Sequence, residues 1–285
     1  MQARRSIPGL EQVIESSSSH VYCEHARNLP PPVPVIRSVM PWVAAAVLAG
    51  AAAAAAATAL TVSAASSLTT VMRELAPLFE AAHPGTRLRL NFGGSGALLQ
   101  QIDKGAPVDV FASADVETMN QALAKGLVRV DARQILASNR LVVVVPAGAT
   151  NVPANLQALS QPVYRRIAIG LPASVPVGRY TRAALERAGL WATIEPRMVG
   201  AHSERQALDY VARGEVDAGF VYATEAALMA DKVRVALTVA TPMPVVYPVA
   251  AVASSPNPEA AQRFIAFLHS APARALLLRH GFGPP

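Results

Sequence analysis

The sequence predicts an α/β protein built on mostly parallel β-sheet with helices packed on its faces. Three observations carry this. From residue 60 onward, strand-like and helix-like stretches alternate in a β-α-β-α-β rhythm, which is the pattern of parallel strands joined by crossover helices. Leu141 to Val145 is apolar at every position, as strands covered on both faces are. The helical stretches are also punctuated where helices start and stop, by Ser, Asp or Pro at their beginnings and Gly at their ends.

Taken in order, Leu60 to Ala64 reads as a short strand. After Ser66 and Ser67 a helical pattern runs to about Ala82, with Leu68, Val71, Met72, Leu75 and Phe79 on one face, and His83-Pro84-Gly85 stops it. Arg87 to Phe92 alternates as a strand. Gly93-Gly94-Ser95-Gly96 turns the chain into a helix over Ala97 to Lys104, closed by Gly105. Val108 to Ala112 is the next strand, and Ser113 and Asp115 are placed to cap a helix over Val116 to Lys125. Beyond the apolar strand Leu141–Val145, a further strand covers Ile167 to Gly170. Pro176 sits where a first-turn proline belongs in a helix running through Leu185. Arg197 to Gly200 reads as a short strand, and Ser203 caps a helix that runs to Ala212 and ends at Gly214. Ala218–Tyr222, Val233–Val239 and Tyr247–Ala253 are strands, and Pro258–His269 and Pro272–His280 are helices. No internal repeat of fixed period is present.

Composition narrows the function. Hydrophobic residues make up 52% and charged residues 15% of the 285 residues, a balance suited to a packed core and not to disorder. The net charge is +6, of which +5 belongs to residues 60–285. Lys and Arg there are scattered, and aromatics are only 5%, so a nucleic-acid interface is not indicated. The mild positive balance suits attraction of an anion. The single cysteine, Cys23, lies in the N-terminal region, so the body carries no thiol nucleophile, cysteine-built zinc site or disulfide framework. No G-x-S-x-G elbow, H-E-x-x-H pair or P-loop occurs either. Ser203 next to His202 does not make a catalytic pair, because adjacent helix residues face apart. The chain is therefore read as a non-enzyme.

Residues 40–59, MPWVAAAVLAGAAAAAAATA, form an apolar stretch after Arg37 that ends in the small-x-small sequence Ala57-Thr58-Ala59, the form of a secretory signal and its cleavage site. A retained anchor is the alternative for the same stretch. Residues 1–39 hold a serine run and Pro30-Pro31-Pro32 and are expected to be a mis-called leader, with Met40 as the true start.

Four places share one design: a strand ends, a small or hydroxyl residue follows, and a helix begins. They are Ser66-Ser67, Gly94-Ser95-Gly96, Pro176-Val177-Gly178 and His202-Ser203-Glu204. A helix N-terminus leaves backbone N–H groups without internal partners and carries partial positive charge. Several such ends aimed at one point would hold an anion without any cationic side chain, and serine hydroxyls and the Tyr222 phenol would add neutral donors. Each case alone is an ordinary helix cap, and the spacing does not show that they converge.

Residues 60–285 resemble the periplasmic molybdate-binding proteins of bacterial ABC importers. The likeness rests on Thr61-Val-Ser-Ala-Ala-Ser-Ser-Leu-Thr69, Phe92-Gly-Gly-Ser-Gly-Ala-Leu98, Gly105 to Asp115, Asn139 to Pro146, Val175-Pro-Val-Gly178, Gly219-Phe-Val-Tyr222, Tyr247-Pro-Val249 and Gly281-Phe282, in matching order and spacing. The resemblance implies a periplasmic-binding-protein fold of type II: two α/β lobes with mixed sheets joined by a two-strand hinge, closing over one tetrahedral oxyanion. It implies one lobe from 60–140 plus 246–285 and a second from 141–245, with hinge strands near Ser138–Arg140 and Met243–Val246. It further implies high-affinity capture of molybdate or tungstate in the periplasm, delivery to an inner-membrane permease, no cofactor and a monomeric state. Carried over by motif, Ser67 and Ser95 supply hydroxyls and amides, Val177 and Glu204 backbone N–H groups, and Tyr222 its phenol; molybdenum is held as the oxyanion, with no protein atom ligating the metal. Glu204 departs from the neutral residue usual there. With its carboxylate turned outward the amide still serves; turned inward, the charge opposes a dianion. Two other ligand readings share the fold: a binding protein for sulfate or another oxyanion, and a ligand-sensing module, for which no partner domain is visible.

Overall fold

The computed structural model describes residues 58–129 and 133–285. The leader expected over 1–39 and the apolar stretch over 40–59 lie outside the described residues, except for Thr58 and Ala59, which open the first strand. No helix among the described residues is long and apolar enough to cross a membrane.

Two five-stranded sheets divide these residues. In the first, strand β1 (Thr58–Ala65) lies between β2 (Thr86–Gly93) and β3 (Val110–Ala112) and is parallel to both. The helix α1 (Thr69–Ala82) links β1 to β2, and α2 (Ser95–Asp103) leads from β2 toward β3. The face of α1 expected to be apolar buries Val71, Met72, Leu75 and Phe79. Phe79 meets Phe264 edge-on at 5.0 Å, which ties α1 to the later helix α8 (Pro258–Leu268). β3 is shorter than its apolar run suggests. The buried Asp109 accepts the Thr61 N–H at 2.7 Å through its side chain, so a carboxylate takes the place of a ladder carbonyl there.

After α3 (Val116–Ala124), the chain forms β4 (Gln134–Asn139), passes through Arg140, and enters the second sheet as β5 (Leu141–Pro146). That sheet has the order β7-β6-β8-β5-β9, with β6 at Ile167–Gly170, β7 at Met198–Ala201, β8 at Ala218–Tyr222 and β9 at Val233–Val239. The helices α4 (Pro176–Arg187), α5 (Trp191–Ile194), α6 (Glu204–Ala212) and α7 (Ala223–Leu228) connect these strands. The chain then returns as β10 (Val245–Ala251), which inserts between β3 and β4, and ends in α8 and α9 (Ala271–Arg279).

The sheets are mixed, as the family resemblance implies, and not mostly parallel as the strand–helix rhythm alone suggests. β6 is parallel to β7 and β8, but β5 is antiparallel to β8 and β9, and β10 is antiparallel to β3 and β4. The cause is the double crossing. One segment leaves the first lobe at Arg140 and another returns between Val239 and Val245, so the strands flanking the crossings run in opposite directions. α5 and α7, four and six residues long, were not anticipated, and of β4, a half-buried strand without clean alternation, only the hinge end near Ser138 was.

Candidate functional site

Both sheets end in helices whose first turns face one another. Gly94 is extended (φ −64°, ψ 135°) and hands β2 directly to α2, so α2 begins at Ser95, two residues earlier than the sequence pattern indicates. Val175 precedes α4, whose first turn holds Pro176 and Val177, and Ser203 caps α6 by accepting the Gln206 N–H at 3.2 Å. Around these starts lies a small cavity. Ser67, Ser95, Val177, Glu204 and Tyr222 all line it, so the five candidate residues, drawn from both sheets, are neighbours in space. No Lys, Arg or His is among its lining residues.

The serines are set up to donate. Ser95 is fully buried, and its Oγ accepts the Ala114 N–H at 3.1 Å. Ser67 Oγ accepts the Tyr247 O–H at 3.1 Å, and Tyr247 Oη in turn accepts from Asn139 Nδ2 at 3.1 Å. Each hydroxyl oxygen thus receives a hydrogen bond from the protein, which leaves its own proton as a donor. Asn139 is the last residue of β4, at the crossing between lobes, and its Nδ2 also donates to Thr224 Oγ1 at 2.9 Å. A relay of Asn139, Tyr247 and Ser67 therefore runs from the hinge to the cavity. Sequence reasoning missed Asn139 and Tyr247 as site residues, although both lie in stretches that carry the family resemblance. Burial pushes the Tyr222 and Tyr247 phenols well above their ordinary range, and both stay protonated. Tyr222 Oη makes only a long contact, 3.5 Å, to the Ala114 carbonyl.

Glu204 takes neither of the two poses anticipated for it. Its carboxyl turns back beneath Tyr222, where Oε1 accepts the Tyr222 N–H at 3.1 Å, and the residue is 3% exposed. Burial, then the neighbouring Glu225, raise its pKa well above the ordinary carboxylate value, which favours the uncharged form. Both the turned-back carboxyl and this shift lessen the repulsion of a dianion.

The two lobes touch across the cavity mouth. Gly96 N donates to Ser174 O at 2.9 Å, a backbone-to-backbone bond from one lobe to the other. On one flank, Arg179 of α4 donates to Asp115 Oδ2 at 2.6 Å, to Thr118 Oγ1 at 2.5 Å and to the Pro172 carbonyl at 3.1 Å. Asp115 caps α3 as anticipated, but no spacing in the sequence pairs it with Arg179. This clasp joins a helix beside one sheet to a helix beside the other. Arg179→Ala is expected to weaken ligand binding by about 1–2 kcal/mol, or five- to thirtyfold, through faster dissociation. Stopped-flow release kinetics would measure it, and an unaltered off-rate would mean the clasp does not bear on closure.

Among the described residues no group of His, Cys, Asp and Glu is placed to hold a metal ion. The site is a small cavity lined by serine hydroxyls, the Tyr222 phenol and the first turns of facing helices, with no basic side chain among its lining residues.

Comparison with known proteins agrees with this architecture. Residues 60–283 match the bacterial extracellular solute-binding protein family. The molybdate-binding protein ModA of Escherichia coli is 34% identical over 223 residues, covering 76% of this chain and 86% of that protein. ModA of Haemophilus influenzae is 31% identical over 222 residues, covering 76% and 87%. The solved structure of the periplasmic molybdate-binding protein of Azotobacter vinelandii superposes with a TM-score of 0.68 at 26% identity, covering 79% of this chain and 99% of that one. On the extent of the family match and the two-lobed fold that accompanies it, the chain belongs to the bacterial extracellular solute-binding protein family.

Proposed function

We propose that this protein captures molybdate, and tungstate with it, in the periplasm and hands it to the permease of an ABC importer as a monomer. The observation that carries the reading is the small cavity walled by hydroxyl donors and facing helix starts. The ligand assignment is supported by the relatives named as molybdate-binding proteins. In this reading the two lobes span 60–140 plus 246–285 and 141–245, and the ligand bridges them.

The chemistry follows from the donors. Ser67 and Ser95 offer hydroxyl and amide protons from the first lobe; Val177 and Glu204 offer amides and Tyr222 its phenol from the second. An anion held by both lobes stabilises the shut form by its differential affinity for that form, and the shut form is what the permease reads. Donor-only recognition also sorts ligands by protonation. Molybdate, tungstate and sulfate are bare dianions near neutral pH. Phosphate keeps a proton, and a buried donor facing it leaves both groups unsatisfied at a cost of about 1–3 kcal/mol. Sulfate carries the same charge and is smaller than molybdate, so only the size of the cavity can turn it away. Tungstate matches molybdate and is accepted with it.

Calorimetric titration of the chain from residue 60, stripped of ligand, tests the reading with molybdate, tungstate, sulfate and phosphate in turn. Tight one-to-one binding of the first two alone is the expected result; sulfate binding alone, or none, would overturn it. Tyr222→Phe removes one donor to a charged ligand and is expected to weaken molybdate binding by about 1–3 kcal/mol. Equal affinity in that variant would remove Tyr222 from the site.

A further inference from the structure

Behind the cavity wall lie two buried acids and a single nearby cation. Glu204 is 3% exposed and Glu225, on α7, is 1% exposed. Arg205 Nη2 lies 2.7 Å from Glu225 Oε2, yet neither that oxygen nor Glu204 Oε2 has a well-directed hydrogen bond. Glu204 Oε1 is already used by the Tyr222 amide. Two carboxylates and one guanidinium would leave an uncompensated negative charge in the interior, directly behind residues that line the anion cavity. One proton held by the pair makes the cluster neutral: a guanidinium, a carboxylate and a carboxylic acid.

We propose that Glu204 and Glu225 share a retained proton that is a working part of the anion site, so that binding of the dianion and retention of this proton reinforce each other. This rests on the oxyanion reading given above. The other groups facing the pair are consistent with it. Tyr222 and Tyr247 are neutral phenols, and Asp209, one turn along α6 from Arg205, adds a further negative influence on Glu225. Burial raises both acids, Glu225 to about 7 and Glu204 well above its ordinary value, in keeping with a proton held between them.

The sign of the linkage is fixed. A bound dianion disfavours loss of the proton, and by reciprocity the proton favours the dianion. Affinity is therefore level while the pair keeps its last proton and falls as pH rises past the point where the ligand-free protein gives it up. Residue type matters as well as charge. Glutamine at 204 supplies a carbonyl for the Tyr222 amide and a neutral N–H, but it does not titrate.

The test is molybdate titration of the chain from residue 60 between pH 6.5 and 9.5, in the wild type, Glu204→Gln and Glu225→Gln. In the wild type, affinity is expected to fall roughly tenfold or more over the upper part of this range, whereas the Glu204→Gln profile stays level within about twofold. Glu225→Gln leaves Glu204 facing Arg205 alone, so its fall should begin at lower pH than in the wild type. Superimposable wild-type and Glu204→Gln profiles would overturn the proposal. Infrared difference spectra of the ligand-free proteins at pH 7.5 give a reading that does not depend on the ligand. A protonated-carboxyl band present in the wild type and lost in Glu204→Gln supports the retained proton, and its absence from the wild type refutes it. If no molybdate binds at any pH but the band is present, the ligand assignment fails while the buried acid stands.

Discussion

Gly178→Ala is expected to destabilise the protein by about 3 kcal/mol or more, the upper range for forcing extra volume into a packed interior. A Cβ at Gly178 would lie 1.8 Å from the Gly170 carbonyl oxygen and 2.5 Å from its carbon, both backbone atoms that no rotamer change can move aside. Gly170 is crowded by the same turn. A Cβ on Gly170 would meet Val175 Cγ1 at 2.8 Å and Val177 Cγ1 at 2.9 Å. The two glycines let the first turn of α4 sit directly on the end of β6, and that seating aims the Val177 N–H at the cavity. Alanine forces the turn away from the strand, so stability and molybdate affinity should fall together. Urea unfolding monitored by circular dichroism measures the first, with a lower midpoint and the same slope expected. Gly148→Ala is the control, since a Cβ there meets nothing within 4 Å and should be close to neutral. A Gly178→Ala midpoint matching that of Gly148→Ala would show that α4 shifts freely on β6.

Residue pattern alone exposed the fold's local pieces better than their assembly. The apolar run at 141–145 and the stripe through Val71, Met72, Leu75 and Phe79 identify a strand and a helix because each has one orientation that hides its apolar groups. The sense of the strands was not written in the same way. Nothing in Tyr247 to Ala253 states that the segment enters antiparallel between β3 and β4; that follows from where the crossings fall. At the site, Ser67, Ser95, Val177, Glu204 and Tyr222 were each visible as a residue next to a helix start or strand end, and the family resemblance grouped them. Their convergence depends on chain segments up to 155 residues apart, a distance at which periodicity carries no information. The supporting relay was hidden for a related reason. Tyr247 and Ser67 meet across 180 positions, and a tyrosine in an apolar strand reads as core until its hydroxyl is seen to donate. Glu204 shows the opposite limit. Its charge looked hostile to an anion in the sequence, and only its burial beside a second acid shows that the ionised form is disfavoured.

Gly96→Val is expected to lower molybdate affinity by at least a hundredfold while leaving the ligand-free protein nearly as stable as before. Gly96 and Ser174 meet through their backbones: the Gly96 N–H donates to Ser174 O at 2.9 Å, and a Cβ at Gly96 would stand 2.6 Å from that oxygen and 2.9 Å from the Ser174 Cα. Gly94 lies equally close to the His202 carbonyl, where a Cβ would fall at 2.7 Å. The lobes therefore shut on two glycines, and a branched side chain at either point holds them apart. An anion could still reach Ser67 and Ser95, but Val177, Glu204 and Tyr222 on the other lobe would stand too far off to donate. Loss of two or more hydrogen bonds to a charged ligand is worth about 3–6 kcal/mol, which sets the hundredfold floor. With the lobes apart the valine faces solvent, so the ligand-free protein loses little; valine in place of glycine near the start of a helix even restricts the unfolded chain. Small-angle X-ray scattering separates this account from a simple loss of contacts. The wild type should contract when molybdate is added, and Gly96→Val should not. Contraction of the variant with weakened affinity would place the damage at Ser95 next door, and wild-type affinity would mean that the lobes need not meet at Gly96 to hold the anion.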